Sequence, residues 1–157
     1  MAIEIERKFL VKSMDFIDLA IKKHKITQAY ISRSKDANVR VRIKDDVGII
    51  TIKGKSDKNR MSRQEWEFEI PKAEAEELIA FSKTDKIVKT RYIVPEKSGL
   101  MYEVDIFEGK NEGLIVAEIE LKSENQEFHK AYWLDKEVTK DKKYYNSSLS
   151  KHPFKEW

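Results

Sequence analysis

Ile3-Glu4-Ile5-Glu6-Arg7-Lys8-Phe9 alternates apolar and charged residues without a break. Successive side chains of a β-strand point to opposite faces, so Ile3, Ile5 and Phe9 share one face and Glu4, Glu6 and Lys8 share the other. A half-buried strand needs a polar second face. It does not need two carboxylates and an ammonium there, with like charges only two positions apart. Either that face is solvated or counterions sit on it, and the rest of the chain bears on the choice.

The same alternation recurs downstream. Lys25 to Arg33 reads as a strand, and Val39, Val41 and Ile43 then alternate with Arg40, Arg42 and Lys44. Asp46-Val47-Gly48 reads as a turn that makes a hairpin with Ile49 to Lys53. Gly54 to Met61 is polar and reads as a loop. Gln64, Trp66, Phe68 and Ile70 alternate with Arg63, Glu65, Glu67 and Glu69. Further strands are expected over Lys86 to Val94, Leu100 to Phe107 and Leu114 to Lys122, with turns at Lys97-Ser98-Gly99 and between Gly109 and Gly113.

Helices are expected over Asp15 to His24, from Pro71 to Ser82 and over Asn125 to Leu134. Pro71 suits a first helical position, and Glu74, Glu76 and Glu77 suit the positive end of the helix dipole. The tail from Asp135 mixes short elements. About eight strands with short connections favour antiparallel pairing, and a barrel removes their exposed edges. The expected fold class is α+β: an eight-stranded antiparallel β-barrel with helices packed outside. No repeat or linker divides the chain, so residues 1–157 read as a single domain.

Charged residues make up 38% of the 157 residues, well above the roughly 25% of an ordinary domain. The signs nearly cancel, with 31 basic against 28 acidic residues and a formal net charge of +3. That balance does not argue for nucleic acid. The absence of cysteine excludes disulfides, thiolate metal sites and cysteine nucleophiles. No signal segment is visible and no apolar run approaches the roughly 20 residues of a membrane span, so a cytoplasmic protein without membrane association is expected. His24, His129 and His152 are scattered, with no second ligand at strand or helix spacing, and read as structural or solvent-facing.

Like-charged doublets recur on one face of successive strands: Glu4 with Glu6, Arg40 with Arg42, Glu65 with Glu67, Lys89 with Arg91, Glu103 with Asp105, and Glu118 with Glu120. One such doublet reads as a solvated face whose ion pairs contribute about 1 kcal/mol or less. Most strands of one barrel carrying such rows favours a shared site. Carboxylate rows ask for a hard divalent cation, and rows of Arg and Lys ask for a polyanion such as phosphate.

Glu4-Ile5-Glu6-Arg7-Lys8 resembles the Glu-x-Glu-x-Lys signature of the CYTH superfamily, the triphosphate tunnel metalloenzymes. Arg40-Val41-Arg42, Thr51-Ile52-Lys53-Gly54, Arg63-Gln64-Glu65-Trp66-Glu67, Lys89-Thr90-Arg91, Tyr102-Glu103-Val104-Asp105 and Ala117-Glu118-Ile119-Glu120-Leu121 follow in that family's order. Glu137-Val138-Thr139 and Tyr145-Asn146-Ser147-Ser148-Leu149 resemble the tail of its small bacterial members, with Lys143 standing where the resemblance calls for Arg. The resemblance implies an eight-stranded tunnel that binds a triphosphate with Mg²⁺ or Mn²⁺.

Carried onto this chain, it makes Glu4, Glu6 and Glu120 one metal site, and Asp105 and Glu118 the support of a second, water-activating metal. It makes Arg40, Arg42, Lys53, Lys89 and Arg91 phosphate ligands, and Glu65, Glu67 and Glu103 supporting groups. Lys8 and Tyr30 resemble a pair that positions or activates the attacking water, although Tyr30 also reads as an ordinary barrel aromatic. Trp66, Phe68, Tyr92, Tyr102, Tyr132 and Trp133 are expected to pack the core or the barrel wall. The implied activity is hydrolysis of inorganic tripolyphosphate to pyrophosphate and phosphate. Adenylate cyclisation, nucleoside or thiamine triphosphate hydrolysis, and polyphosphate sensing without turnover stay open, as does a homodimer.

Overall fold

The computed structural model describes residues 2–34, 36–59 and 61–157. Among these residues nine strands run in chain order: β1 (Ala2–Val11), β2 (Lys22–Arg33), β3 (Ala37–Lys44), β4 (Val47–Gly54), β5 (Ser62–Ile70), β6 (Ile87–Pro95), β7 (Met101–Phe107), β8 (Ile115–Glu120) and β9 (Leu134–Glu137). The α-helices described with them are α1 (Phe16–Leu19), α2 (Lys72–Phe81) and α3 (Asn146–Leu149). The antiparallel order β5-β4-β3-β2-β6-β7-β8-β1 closes through a β5–β1 pairing into the expected eight-stranded barrel, with α1 and α2 packed outside.

Strand β1 is the seam. It pairs with β5 over Ala2–Ile5, with β8 over Glu6–Leu10 and with β9 at Phe9 and Val11. The Glu6 N–H donates to Met61 and the Lys8 carbonyl accepts from Val138, whereas the Ile5 carbonyl on the opposite edge accepts from Leu121. Strands β5 and β9 therefore share one edge of β1, and β9 takes over where β5 ends. Arg7 points outward and clamps Glu137 of β9 with two hydrogen bonds, at 3.0 and 2.5 Å.

Three apolar clusters hold the barrel. Helix α2 covers the outside of β2 to β5, setting Ala75 and Ile79 against Ala29 and Val41. The outside of β1 and β6 to β8 packs Phe9, Val104 and Ile119 against Phe16, Trp133 and Tyr102. Inside, Ile87, Phe107 and Val116 meet Leu149 of α3, which fills one part of the barrel with apolar side chains. The remaining interior is charged. Among the described residues, no helix is long and apolar enough to cross a membrane.

Four local expectations are corrected. The helix expected over Asp15 to His24 is only the single turn Phe16–Leu19, because Lys22, Lys23 and His24 pair with Ile93, Tyr92 and Arg91 and lengthen β2. Asn125 to Leu134 is irregular, and Leu134 begins β9. Its Phe128, Ala131, Trp133 and Leu134 reach the outer core without helical periodicity.

The hairpin turn falls at Asp45-Asp46, not at Asp46-Val47-Gly48, with Asp45 at a positive φ of 55° that His24 and the Lys25 N–H support through its carboxylate. Gly48 instead lies in β4 under α2. A Cβ there would stand 2.8 Å from both Ala75 Cβ and the Ile70 carbonyl, so the glycine serves close packing. Phe68 and Tyr132, expected to pack, are exposed.

Candidate active site

Charged side chains from every barrel strand except β2, which contributes Tyr30, line one cavity of about 340 Å³. That volume falls in the range of small-ligand sites, about 300–1,000 Å³. Its acidic side comes from β1 and β8, where Glu6 stands opposite Glu120 and Lys8 opposite Glu118. Glu103 of β7 faces Glu118, and Glu65 and Glu67 of β5 add two more carboxylates. The basic side comes from Arg40 and Arg42 on β3, Lys53 on β4, Arg63 on β5, and Lys89 and Arg91 on β6.

The acidic side is crowded. Lys8 Nζ lies 3.1 Å from Glu118 Oε1 and 3.4 Å from Glu6 Oε1. Burial works against the Glu118 carboxylate, but Lys8, with Arg91 and Lys89, outweighs it and holds Glu118 well below the usual carboxylate range. Glu6 has the opposite balance: burial and the neighbouring Glu118 push it up to about 7. Lys8 thus holds side by side one carboxylate and one carboxyl that keeps its proton to higher pH. Burial and Glu4 likewise push Glu65 up to about 7. Glu4 is lowered, because Lys53 at 2.7 Å and Arg63 at 3.7 Å overcome its burial.

The basic side divides in two. Arg91 makes paired bonds to Asp105, both 2.8 Å, and one to Glu103 at 2.7 Å, and Lys89 Nζ reaches Asp105 at 2.7 Å. Arg40 and Arg42 have only neutral partners: Thr51 Oγ1 at 3.1 Å and Gln28 Oε1 at 2.9 Å. Among the described residues neither has an ion pair. Burial, with Arg40 and Arg91 adding repulsion, pushes Arg42 down to about 9. Two buried guanidiniums without a carboxylate are a standing demand for an anion.

Every expected site residue except Asp105 lines this cavity. Asp105 is buried behind the wall, with both oxygens held by Arg91 and Lys89. Lys8 and Tyr30 both line the cavity, but the ring beside Lys8 is Tyr145, 5.2 Å from Nζ, and this ring also takes Arg63 at 5.9 Å. Lys143 lies outside the cavity, with its ammonium 4.6 Å from the Trp157 ring centre. His24, His129 and His152 are not among the lining residues.

Sequence reasoning gave no role to Tyr145, Asn146 and Ser147, which the C-terminal segment folds back into the cavity wall, nor to Asn38 and Thr51. The tail motif and the strand alternation were the available signals, but neutral side chains carry no charge pattern.

The carboxylates on β1 and β8 are the groups suited to a divalent cation. Among the described residues no three acidic or histidine side chains already enclose a common point, since Glu4 turns to Lys53 and Glu118 to Lys8. The donor set still fits a hard cation, because Glu120 stands opposite Glu6 and makes no ion pair among the described residues, which leaves carboxylate oxygens on this wall for a positive partner.

An antiparallel barrel with facing rows of buried carboxylates and cations inside it defines the triphosphate-tunnel class of domain. The chain belongs to the CYTH family: the CYTH domain model matches residues 2–153. It is 43% identical over 152 residues to an inorganic triphosphatase of Acetivibrio thermocellus, covering 97% of this chain and 96% of that one. It is 33% identical over 150 residues to an inorganic triphosphatase of Nitrosomonas europaea, covering 94% and 96% respectively. A crystal structure of an inorganic triphosphatase superimposes with a TM-score of 0.69 at 31% identity, covering 96% of this chain and 95% of that one.

Proposed function

We propose that this protein hydrolyses inorganic tripolyphosphate to pyrophosphate and phosphate with the help of Mg²⁺ or Mn²⁺. The observation that carries this reading is the opposition across one cavity of Arg40 and Arg42, which lack carboxylate partners, and the crowded carboxyls Glu6, Glu118 and Glu120. A barrel held by structural ion pairs would pair these groups with each other. The names of the two relatives support an inorganic triphosphate as substrate.

In this reading Arg40, Arg42, Lys53, Lys89 and Arg91 bind phosphate oxygens, and Glu4, Glu6, Glu118 and Glu120 hold the metal. When bound, a divalent cation supplies neutralisation of the phosphate charge and a lowered pKa for a coordinated water. Phosphoryl transfer needs positioning and charge stabilisation more than covalent chemistry, and a rigid barrel wall provides both. Asp105 orients Arg91 and Lys89 toward the substrate, because its own oxygens are already taken. Lys8 holds Glu6 and Glu118 in place, and Tyr30 closes the cavity beside the apolar cluster. Glu65, Glu67 and Glu103 space the cations.

A substrate panel tests the assignment. Tripolyphosphate should be turned over far faster than ATP or thiamine triphosphate, and only with a divalent metal. Equal or better turnover of either organic triphosphate overturns the choice of substrate.

A further inference from the structure

The C-terminal segment enters the barrel at Asn146, and its side chain joins a chain of hydrogen bonds whose direction is fixed. Arg42 is donor-only, so the Gln28 atom it meets at 2.9 Å is the amide oxygen, Oε1. Gln28 is fully buried and must therefore present its NH₂ at the other end, which donates to Asn146 Oδ1 at 3.2 Å. Lys89, also fully buried, donates to the same oxygen at 2.9 Å. Both lone pairs of Asn146 Oδ1 are thus used by the barrel wall. Its own NH₂ makes no hydrogen bond to the described residues, and Asn146 lines the cavity.

We infer that Asn146 is a direct phosphate-binding residue: its side-chain NH₂ donates to an oxygen of the bound polyphosphate beside Lys89 and Arg42. The inference rests on the anion-binding reading of the cavity. The orientation of the amide is the decisive point. An asparagine turned the other way would offer an oxygen and repel phosphate, and the cationic end of the chain forbids that orientation. Leu149, buried against Ile87 and Phe107, seats the segment that carries this donor. The tail therefore does more than close the barrel, since it completes the anion site with a neutral donor that adds no further charge to a wall where Arg42 and Arg40 already repel each other.

Asn146→Asp and Asn146→Ala, made in the full chain, test this. The aspartate keeps an acceptor for Lys89 and Gln28 but puts an oxygen in place of the NH₂. The alanine removes donor and acceptor without adding charge. Both should weaken tripolyphosphate binding about tenfold or more, as expected for a lost hydrogen bond to a charged group. The effect should fall on KM more than on kcat, with Asn146→Asp as thermally stable as the parent. Parent-like affinity in Asn146→Ala overturns the inference, because weakening confined to Asn146→Asp reports only the added charge. Should the aspartate variant fail to fold, Asn146→Ala alone decides. A parent that binds tripolyphosphate without splitting it overturns the hydrolytic reading, while dissociation constants from calorimetry still decide the role of Asn146. A parent with no affinity for tripolyphosphate overturns both.

Discussion

Lys8 Nζ sits 3.1 Å from Glu118 Oε1, and the same ammonium holds Glu6 at 3.4 Å, so one buried cation keeps two carboxyls of the acidic wall together. Burial opposes the charge on Lys8, but Glu118 and Glu6 outweigh it and raise its pKa above the usual lysine range. Lys8→Met leaves these carboxyls without their counterion. Breaking a buried pair from one side costs about 3–5 kcal/mol. The variant should melt lower than the parent without metal and recover part of the loss on adding Mg²⁺, as read by thermal melts in both conditions. An unchanged melting temperature without metal would show that Lys8 does not hold the wall.

Glu6→Gln should act differently. Glu6 is pushed up to about 7, so the neutral amide resembles the form it already partly adopts. Little stability should be lost at neutral pH. Divalent-metal affinity and activity should both drop by more than the ~10–100-fold typical of losing a partner outside the coordination sphere. Calorimetric metal titration beside a melt separates the two effects.

The pH dependence of the metal-free protein has a definite sign. Glu6 and Glu65 rise from 4.5 to about 7 on folding. Between those values the folded chain binds more protons than the unfolded one, so this contribution to stability is full below 4.5 and is lost as pH rises toward 7. Mg²⁺ or Mn²⁺ bound at Glu6 should release protons below pH 7 and flatten that decline. Denaturant melts across this range, with and without metal, report both trends.

Arg42→Ala removes a guanidinium that has no carboxylate partner. The fold should lose little and the substrate much: KM for tripolyphosphate should rise about 10–100-fold, the worth of hydrogen bonds to a charged group. Steady-state kinetics and a melt on the same variant check the pair of outcomes.

Gly48→Ala tests packing alone. The added Cβ must push Ala75 and the Ile70 carbonyl away from β4, which costs about 1–3 kcal/mol as overpacking does elsewhere. A melt should show the loss, while KM stays near the parent value because neither Gly48 nor any residue of α2 lines the cavity.

The barrel and its charged lining were legible because one rule covers both. Alternation groups Glu4 with Glu6 and Arg40 with Arg42 on one face of their strands, and the need of such like-charged rows for counterions marks that face as the lining of a site. What failed depended on contacts distant in sequence. Lys22 to His24 read as helical until β6 supplied hydrogen-bond partners. Asn125 to Leu134 read as a helix, whereas Phe128 and Trp133 each pack into the outer core from an irregular segment. Asp105 shows the limit within the site: its position on the strand face was correct, but only the structure reveals that Arg91 and Lys89 occupy both its oxygens. Tyr145 and Asn146 were legible as a tail motif and not as part of the site, since the fold brings Asn146 to Gln28 across 118 positions of sequence.

The most direct test of the central claim is a phosphorus NMR time course of tripolyphosphate with the protein, run with Mg²⁺ or Mn²⁺ and again with a chelator. Pyrophosphate and orthophosphate should appear in equal amounts with metal, and no reaction should occur in the chelator. Intact tripolyphosphate in the presence of metal, with ATP converted to a cyclic nucleotide under the same conditions, would contradict that claim.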